Sequence, residues 1–215
     1  QRMTIPELIS KIGRTYKDGS SLTPGTLYHP IPFPEYSHIP VHKTNCIEEW
    51  EVIQRHYNFT DKIVIDIGCN VGYFTFNIAK TANMVYGFEA DDSVKDLAEA
   101  IRRDQEIENV GFKGAIRPEE PSWWHPDVYL WINSHMWLVK QYGFKRIKKM
   151  LRFIAERGAD LFFQTAHAES RGMFLVEELK NLDDILGYLK DCGFPDPQHI
   201  HTTMHDGYPR YMIKA

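Results

Sequence analysis

From residue 60 onward the chain alternates between short apolar runs and longer segments whose apolar positions recur at helical spacing. Residues 62–67 (KIVIDI) form a β-branched run of the kind found in a strand buried on both faces. Residues 72–81 put Phe74, Ile78 and Ala79 on one helical face, and 84–88 (MVYGF) read as the next strand. Residues 92–106 predict an amphipathic helix with Val94, Leu97, Ala98 and Ile101 in its stripe and Asp91 or Asp92 as its cap. A weaker strand follows at 110–115 and a strongly apolar one at 128–132. Residues 144–155 predict a helix with Phe144, Ile147, Leu151 and Ile154 inward, ending near Gly158. A strand at 160–165 and a helix at 182–192, closed by Gly193, come next. Strands at 199–203 and 208–213 are joined through Asp206-Gly207, a hairpin signal. This order predicts an α/β fold: a doubly wound, mostly parallel seven-stranded sheet with an antiparallel C-terminal edge strand.

The first part of the chain reads differently. Residues 20–45 carry Pro24, Gly25, Pro30, Pro32, Pro34 and Pro40, which exclude a long helix or an interior strand. The same stretch holds Tyr28, His29, Phe33, Tyr36, His38 and His42, more aromatic surface than a flexible linker needs, so an ordered N-terminal arm is expected. Residues 47–58 predict a helix with Ile47, Trp50, Ile53 and Tyr57 near helical spacing. The expected division is an arm and cap helix over 1–58 and an α/β domain over 59–215.

Composition narrows the function classes. At 215 residues, 43% hydrophobic and 25% charged, the chain is folded rather than disordered. A net charge of −4 disfavours a protein living on phosphate contacts. No apolar run is long enough to span a membrane, and the first residues lack the zones of a secretory signal. The chain begins with Gln1, as expected of a piece trimmed from a longer polypeptide. Cys46, Cys69 and Cys192 are widely spaced, with no CxxC, so we expect reduced thiols, no structural zinc, no other metal site and a cytoplasmic location.

The chemistry concentrates at 64–74, VIDIGCNVGYF. A strand ends at Asp66-Ile67, turns through Gly68, Cys69, Asn70, Val71 and Gly72, and enters a helix. Glycines allow a tight turn and close approach of a ligand to the backbone. In a doubly wound sheet, ligands bind at the carboxyl ends of the strands where the strand order reverses. Asn70 and Tyr73 stand where GxGxxG needs glycine, and no GxxxxGK[ST] is present, so neither a dinucleotide fingerprint nor a P-loop fits.

The remaining pattern, D-x-G-x-x-x-G, resembles motif I of the class I S-adenosylmethionine-dependent methyltransferases, which have a Rossmann-like fold. Glu89, at the end of the second strand, matches the acidic residue that holds both ribose hydroxyls in that family. A carboxylate with two acceptor oxygens suits a vicinal diol. The resemblance covers residues 60–215. It implies S-adenosylmethionine as cofactor, with Asp66 near the methionine amino group and Gly68, Asn70 and Gly72 along the methionine moiety. Glu89 would hold the ribose and Ala90 and Asp91 would border the adenine, while Asn133 completes the cofactor-binding set. The family's frequent acid after strand three has no clear counterpart in KGAIRPEE. The arm SLTPGTLYHPIPFPEY ahead of NFTDKIVIDIGCNVGYF is also similar to small-molecule and glycan methyltransferases with a Tyr-His arm.

Methyl transfer from a sulfonium needs an acceptor aligned with the methyl group, water excluded and, for an alcohol, a general base. His135, in the segment after strand four, is the first candidate for that base and His167, after strand five, the second. There is no [DN]-P-P-[YF], no Pro-Cys nucleophile and no carboxylate set for Mg²⁺ after strand four. These absences point to an oxygen or amine of a small molecule or saccharide as acceptor. Lys140, Lys145, Arg146, Lys148, Lys149 and Arg152 read as a solvated helix face; the sharper alternative is a patch for an anionic acceptor, including RNA. A non-catalytic domain that uses the fold for interaction is the third class.

Overall fold

The apolar runs pair into a seven-stranded sheet of order β3-β2-β1-β4-β5-β7-β6. The computed structural model describes residues 3–12, 23–119, 125–167, 176–205 and 207–215; residues 20–22 of the expected arm and Asp206 of the expected hairpin turn lie outside them. The strands are β1 (Ile63–Ile67), β2 (Met84–Phe88), β3 (Val110–Lys113), β4 (Val128–Ile132), β5 (Asp160–Gln164), β6 (Gln198–His205) and β7 (Tyr208–Lys214). The helices are α1 (Ile5–Lys11), α2 (Asn45–His56), α3 (Tyr73–Ala79), α4 (Asp92–Asp104), α5 (His135–Tyr142), α6 (Phe144–Glu156) and α7 (Leu182–Asp191). β1 pairs with β4, β2 with β3 and β4 with β5 in parallel, while β7 runs antiparallel to both β5 and β6. Helices flank both faces of the sheet. The chain winds outward from β1 to β3 and then restarts at β4 on the other side of β1. That reversal is the switch point at which open α/β sheets take ligands.

The chain divides into two compact units, residues 1–61 with 68–116, and residues 62–67 with 117–215. In the first unit the Pro-rich arm is ordered. Leu27 is fully buried, its N–H donates to the Pro40 carbonyl at 2.9 Å, and the His42 N–H donates back to the Leu27 carbonyl at 2.8 Å. Phe33 meets Phe76 of α3 edge-on at 5.3 Å, and the Tyr36 hydroxyl donates to Asp104 at the end of α4. Aromatic and aliphatic burial therefore offsets the backbone freedom this segment loses. Helix α4 buries Val94, Leu97, Ala98 and Ile101, and its cap is Asp91, which accepts from Ser93 N and Val94 N. Helix α2 begins earlier than the sequence predicts and buries Cys46, Glu49, Val52 and Ile53, whereas Ile47 is exposed. Of the residues at helical spacing Ile53 is fully buried, and Glu49 takes an interior position that a polarity pattern assigns to solvent.

In the second unit β4 is buried along its whole length, and α6 covers the sheet with Ile147, Met150, Leu151 and Ile154. The Asp127 carboxylate accepts from Ile63 N–H at 2.8 Å and pairs with Lys62 at 3.3 Å, which fixes the entry to β1. Residues 135–142 form helix α5 where the sequence reading has a loop. Gly143, at φ 85°, separates α5 from α6, so two short helices replace a loop and a helix.

His135, the first candidate base of the sequence reading, lies inside the core. Its side chain is fully buried, in edge contact with Trp131, Phe163 and Tyr188. The Thr165 hydroxyl donates to the Ala166 carbonyl at 3.3 Å, so it accepts from His135 Nδ1–H at 3.1 Å. The Tyr188 hydroxyl then donates to His135 Nε2 at 3.2 Å. Both ring nitrogens are engaged inside the core, and burial pushes the imidazole pKa down to about 3 from 6.5. The neutral ring is packed among aromatic side chains, with both nitrogens bonded to protein hydroxyls. Below pH 6.5 the unfolded chain binds a proton at this position that the folded chain refuses, so this contribution to stability is whole above that pH and shrinks as the pH falls toward 3. Urea midpoints taken at pH 7 and pH 5 should show a loss that approaches ~1.4 kcal/mol per pH unit from this residue. His135→Gln should be less stable at pH 7 and should lack this share of the pH slope.

Candidate functional site

The segment that carries the motif folds back onto the end of β2. Gly68 N–H and Cys69 N–H both donate to the Phe88 carbonyl, at 2.8 and 3.0 Å. Asn70 (φ 52°) and Gly72 (φ 89°) adopt left-handed backbone, so the turn closes within a few residues and delivers the chain into α3. At Gly72 a Cβ would also stand 2.8 Å from the Phe76 ring, so glycine is required for space as well as for conformation. Gly87 has the same task on the other side: a Cβ there would meet Cys69 Sγ at 2.8 Å and Phe112 at 2.9 Å.

Glu89 follows β2 and is 9% exposed. Its Oε2 accepts from Asn70 N–H at 3.0 Å and its Oε1 accepts from Asp91 N–H at 2.8 Å. A backbone donor on each oxygen fixes the plane of the carboxylate. Asn70 Oδ1 is buried with no hydrogen-bond partner. Ala90 is exposed, and Asp91 spends its carboxylate on the first turn of α4. Gly68, Asn70, Gly72, Glu89, Ala90 and Asp91 therefore come together in the first unit as the sequence places them.

The second unit holds the remaining expected residues. Asp66 is 2% exposed in β1, in register with Leu130 of β4, and precedes the glycine turn directly along the chain. Asn133 stands at the end of β4 with φ 55°, and its Oδ1 is buried without a hydrogen-bond partner. The next residue, Ser134, donates its hydroxyl to the Ile67 carbonyl at 2.6 Å and so ties the ends of β4 and β1 together. Ser134 escaped the sequence reading, where nothing separates it from an ordinary loop serine.

His167 is buried at 0% exposure and stacks on Tyr211, with ring centroids 5.1 Å apart. Its Nδ1 lies 3.1 Å from the Lys180 carbonyl and its Nε2 3.1 Å from the Pro209 carbonyl. An imidazole with one N–H donates to only one of these two carbonyls, and His167 lies inside the protein as His135 does. Trp137 of α5 behaves in the opposite way: it is 44% exposed, an unusual place for an indole. Of the basic residues, Arg146 pairs with Glu119, Lys148 with Asp191, and Arg152 donates to the Asp191 carbonyl. Acids of the same unit answer much of that charge.

Cys46, Cys69 and Cys192 are buried free thiols. Among the described residues no group of three or more His, Cys, Asp or Glu side chains is placed to hold a metal ion, and no helix is long and apolar enough to cross a membrane.

No family model matches the chain, and no curated protein matches it. Solved structures do. The bifunctional kinase-methyltransferase WbdD superimposes with a TM-score of 0.78 at 16% identity over 98% of this chain and 45% of that one. The chain thus spans about half the length of that relative. Magnesium protoporphyrin IX methyltransferase (ChlM) from Synechocystis PCC 6803, solved with bound SAM, gives a TM-score of 0.54 at 18% identity over 79% of this chain and 76% of that one. Trm5b from Pyrococcus abyssi gives 0.56 at 11% identity over 80% and 48%. With the strand order and the glycine turn already on view, these likenesses establish the architecture: the chain has the fold of the class I S-adenosylmethionine-dependent methyltransferases.

Proposed function

We propose that the protein is an S-adenosylmethionine-dependent methyltransferase acting on an oxygen or amine of a small molecule or saccharide. The observation that carries this reading is the Glu89 carboxylate, held by the Asn70 and Asp91 amides so that both oxygens are oriented before any ligand arrives. A vicinal diol donates two hydrogen bonds and matches that pair; a phosphate on the same sugar would be repelled. The buried, unpartnered Oδ1 atoms of Asn70 and Asn133 also fit a ligand with donor groups, because each costs stability until a donor reaches it.

In this reading Glu89 holds the ribose hydroxyls, with Ala90 and Asp91 bordering the adenine. Gly68, Asn70 and Gly72 line the methionine moiety, and Asp66 and Asn133 meet its polar groups. When bound, S-adenosylmethionine supplies an electrophilic methyl group on a sulfonium centre. The chain's own part is to hold the cofactor, align the acceptor and keep water away. With His135 and His167 sealed in the core, orientation rather than histidine base catalysis is the contribution we assign to these residues. The 44% exposure of Trp137 supports a saccharide acceptor, since an indole that reaches solvent can meet the C–H face of a sugar ring while the sugar's hydroxyls stay hydrated. The salt-bridged basic helix gives the RNA reading no support of its own.

Calorimetric titration with S-adenosylhomocysteine is the direct test. Saturable binding is expected, and Glu89→Ala should weaken it by about 2 kcal/mol, roughly 30-fold, the worth of hydrogen bonds to a charged group. Asp66→Ala should weaken it in the same direction. A folded wild-type protein that shows no saturable binding at millimolar ligand rules the reading out. With labelled cofactor and a panel of saccharides, Trp137→Ala should raise the acceptor KM about tenfold while leaving cofactor affinity unchanged, and Trp137→Phe should recover most of it. Cofactor binding without transfer to any acceptor would instead favour a non-catalytic domain.

A further inference from the structure

Gln164 closes β5 and is fully buried, an amide at the end of an otherwise apolar strand. Its Oε1 accepts from Asn133 Nδ2 at 2.6 Å. Its Nε2 donates to Thr203 Oγ1 of β6 at 3.0 Å and to the Arg210 carbonyl of β7 at 3.4 Å. The Asn133 N–H donates to the Gln164 carbonyl at 2.9 Å, so backbone and side chain of the two residues are bonded together.

These partners determine the sense of both amides. A carbonyl only accepts, so the Gln164 group facing Arg210 is the NH₂, and its oxygen faces Asn133. The Asn133 group facing that oxygen is therefore also an NH₂. The Asn133 oxygen is left at the far end of its amide, buried and without a partner. The left-handed backbone at Asn133 does not explain this arrangement, since glycine or aspartate also adopts such a conformation. Glycine would make no contact with Gln164, and an aspartate carboxylate would face the Gln164 oxygen with a like partial charge. Only an amide donates to Gln164 at one end and keeps an acceptor at the other.

We propose that Gln164 is a positioning residue: it locks the Asn133 amide so that its oxygen accepts a hydrogen bond from an N–H or O–H donor of the cofactor. The C-terminal hairpin, through Thr203 and Arg210, anchors Gln164 in turn. This rests on the reading of the site as one for S-adenosylmethionine. It assigns a binding task to the end of β5 and to the hairpin, neither of which touches the motif after β1 in sequence.

A double-mutant cycle on cofactor-product affinity tests it. S-adenosylhomocysteine is titrated by calorimetry into the wild type, Asn133→Ala, Gln164→Leu, the double variant, Gln164→Glu and Thr203→Val, with thermal melts recorded for each. Gln164→Met, close to glutamine in length, serves if Gln164→Leu fails to fold. The apolar Gln164 variant should bind about tenfold more weakly, a loss of ~1.4 kcal/mol. In the Asn133→Ala background the same change should cost less than twofold, because no oriented oxygen remains to lose. Gln164→Glu, protonated at a buried site, keeps an acceptor for Asn133 and a donor for Thr203 and should recover most of the affinity. Thr203→Val removes one of the two acceptors that hold Gln164 Nε2 and should weaken binding in the same direction as the apolar Gln164 variant but by less. The proposal is overturned if the apolar variant binds like wild type, if the two losses multiply in the double variant, or if affinity simply follows melting temperature across the set. A wild-type protein without saturable binding sinks the cofactor reading and this inference with it; multiplying losses in a protein that binds sink only the role of Gln164.

Discussion

The two amides that share the Phe88 carbonyl hold the first unit's site in shape. Gly68 and Cys69 can both reach that oxygen because the chain turns sharply after β1, and it turns sharply because Gly68, Asn70 and Gly72 take left-handed backbone. Once the turn is folded against the end of β2, Asn70 N–H meets Glu89, and Glu89 also takes the amide that precedes α4. A carboxylate that would otherwise swing in solvent is thereby held in one plane. The close packing of Gly72 on Phe76, and of Gly87 on Cys69 and Phe112, leaves this arrangement no room for a Cβ at either glycine.

The polar groups of the second unit divide into two kinds. His135, Thr165 and Tyr188 satisfy one another, and the His167 ring nitrogens lie within hydrogen-bond distance of two backbone carbonyls. Such networks give a core a unique arrangement at the cost of desolvating polar atoms. Asn133 belongs to the other kind, because its amide is held at one end and incomplete at the other. The His135 network is closed, whereas the Asn133 amide keeps an oxygen without a protein partner, and this contrast, more than residue type, separates the two.

The arm belongs to the same economy of burial. Its prolines remove backbone donors and limit its conformations, so the chain has less freedom to lose on folding. Leu27, Phe33 and Tyr36 then fasten it to the helices of the first unit. Trp137, 44% exposed, contrasts with these buried aromatics.

Local pattern was enough for the strands and most helices, because their apolar periodicity survives any arrangement of neighbours. It was enough for the glycine turn and Glu89 as well, since both lie within one continuous stretch whose chemistry depends on backbone conformation nearby. The Thr4 and Glu7 capping box of α1 was equally legible and went unread. Periodicity located α2 but said nothing of its buried Glu49 and exposed Ile47, which reverse the usual assignment. The fates of His135, His167 and Gln164 were decided only by tertiary structure. Each depends on partners some thirteen to fifty-three residues away in the chain, as between His167 and Lys180 or His135 and Tyr188. The insertion of β7 between β5 and β6 is of the same kind. A sequence displays which groups can donate or accept; whether a buried atom finds its partner is determined by what the fold brings beside it.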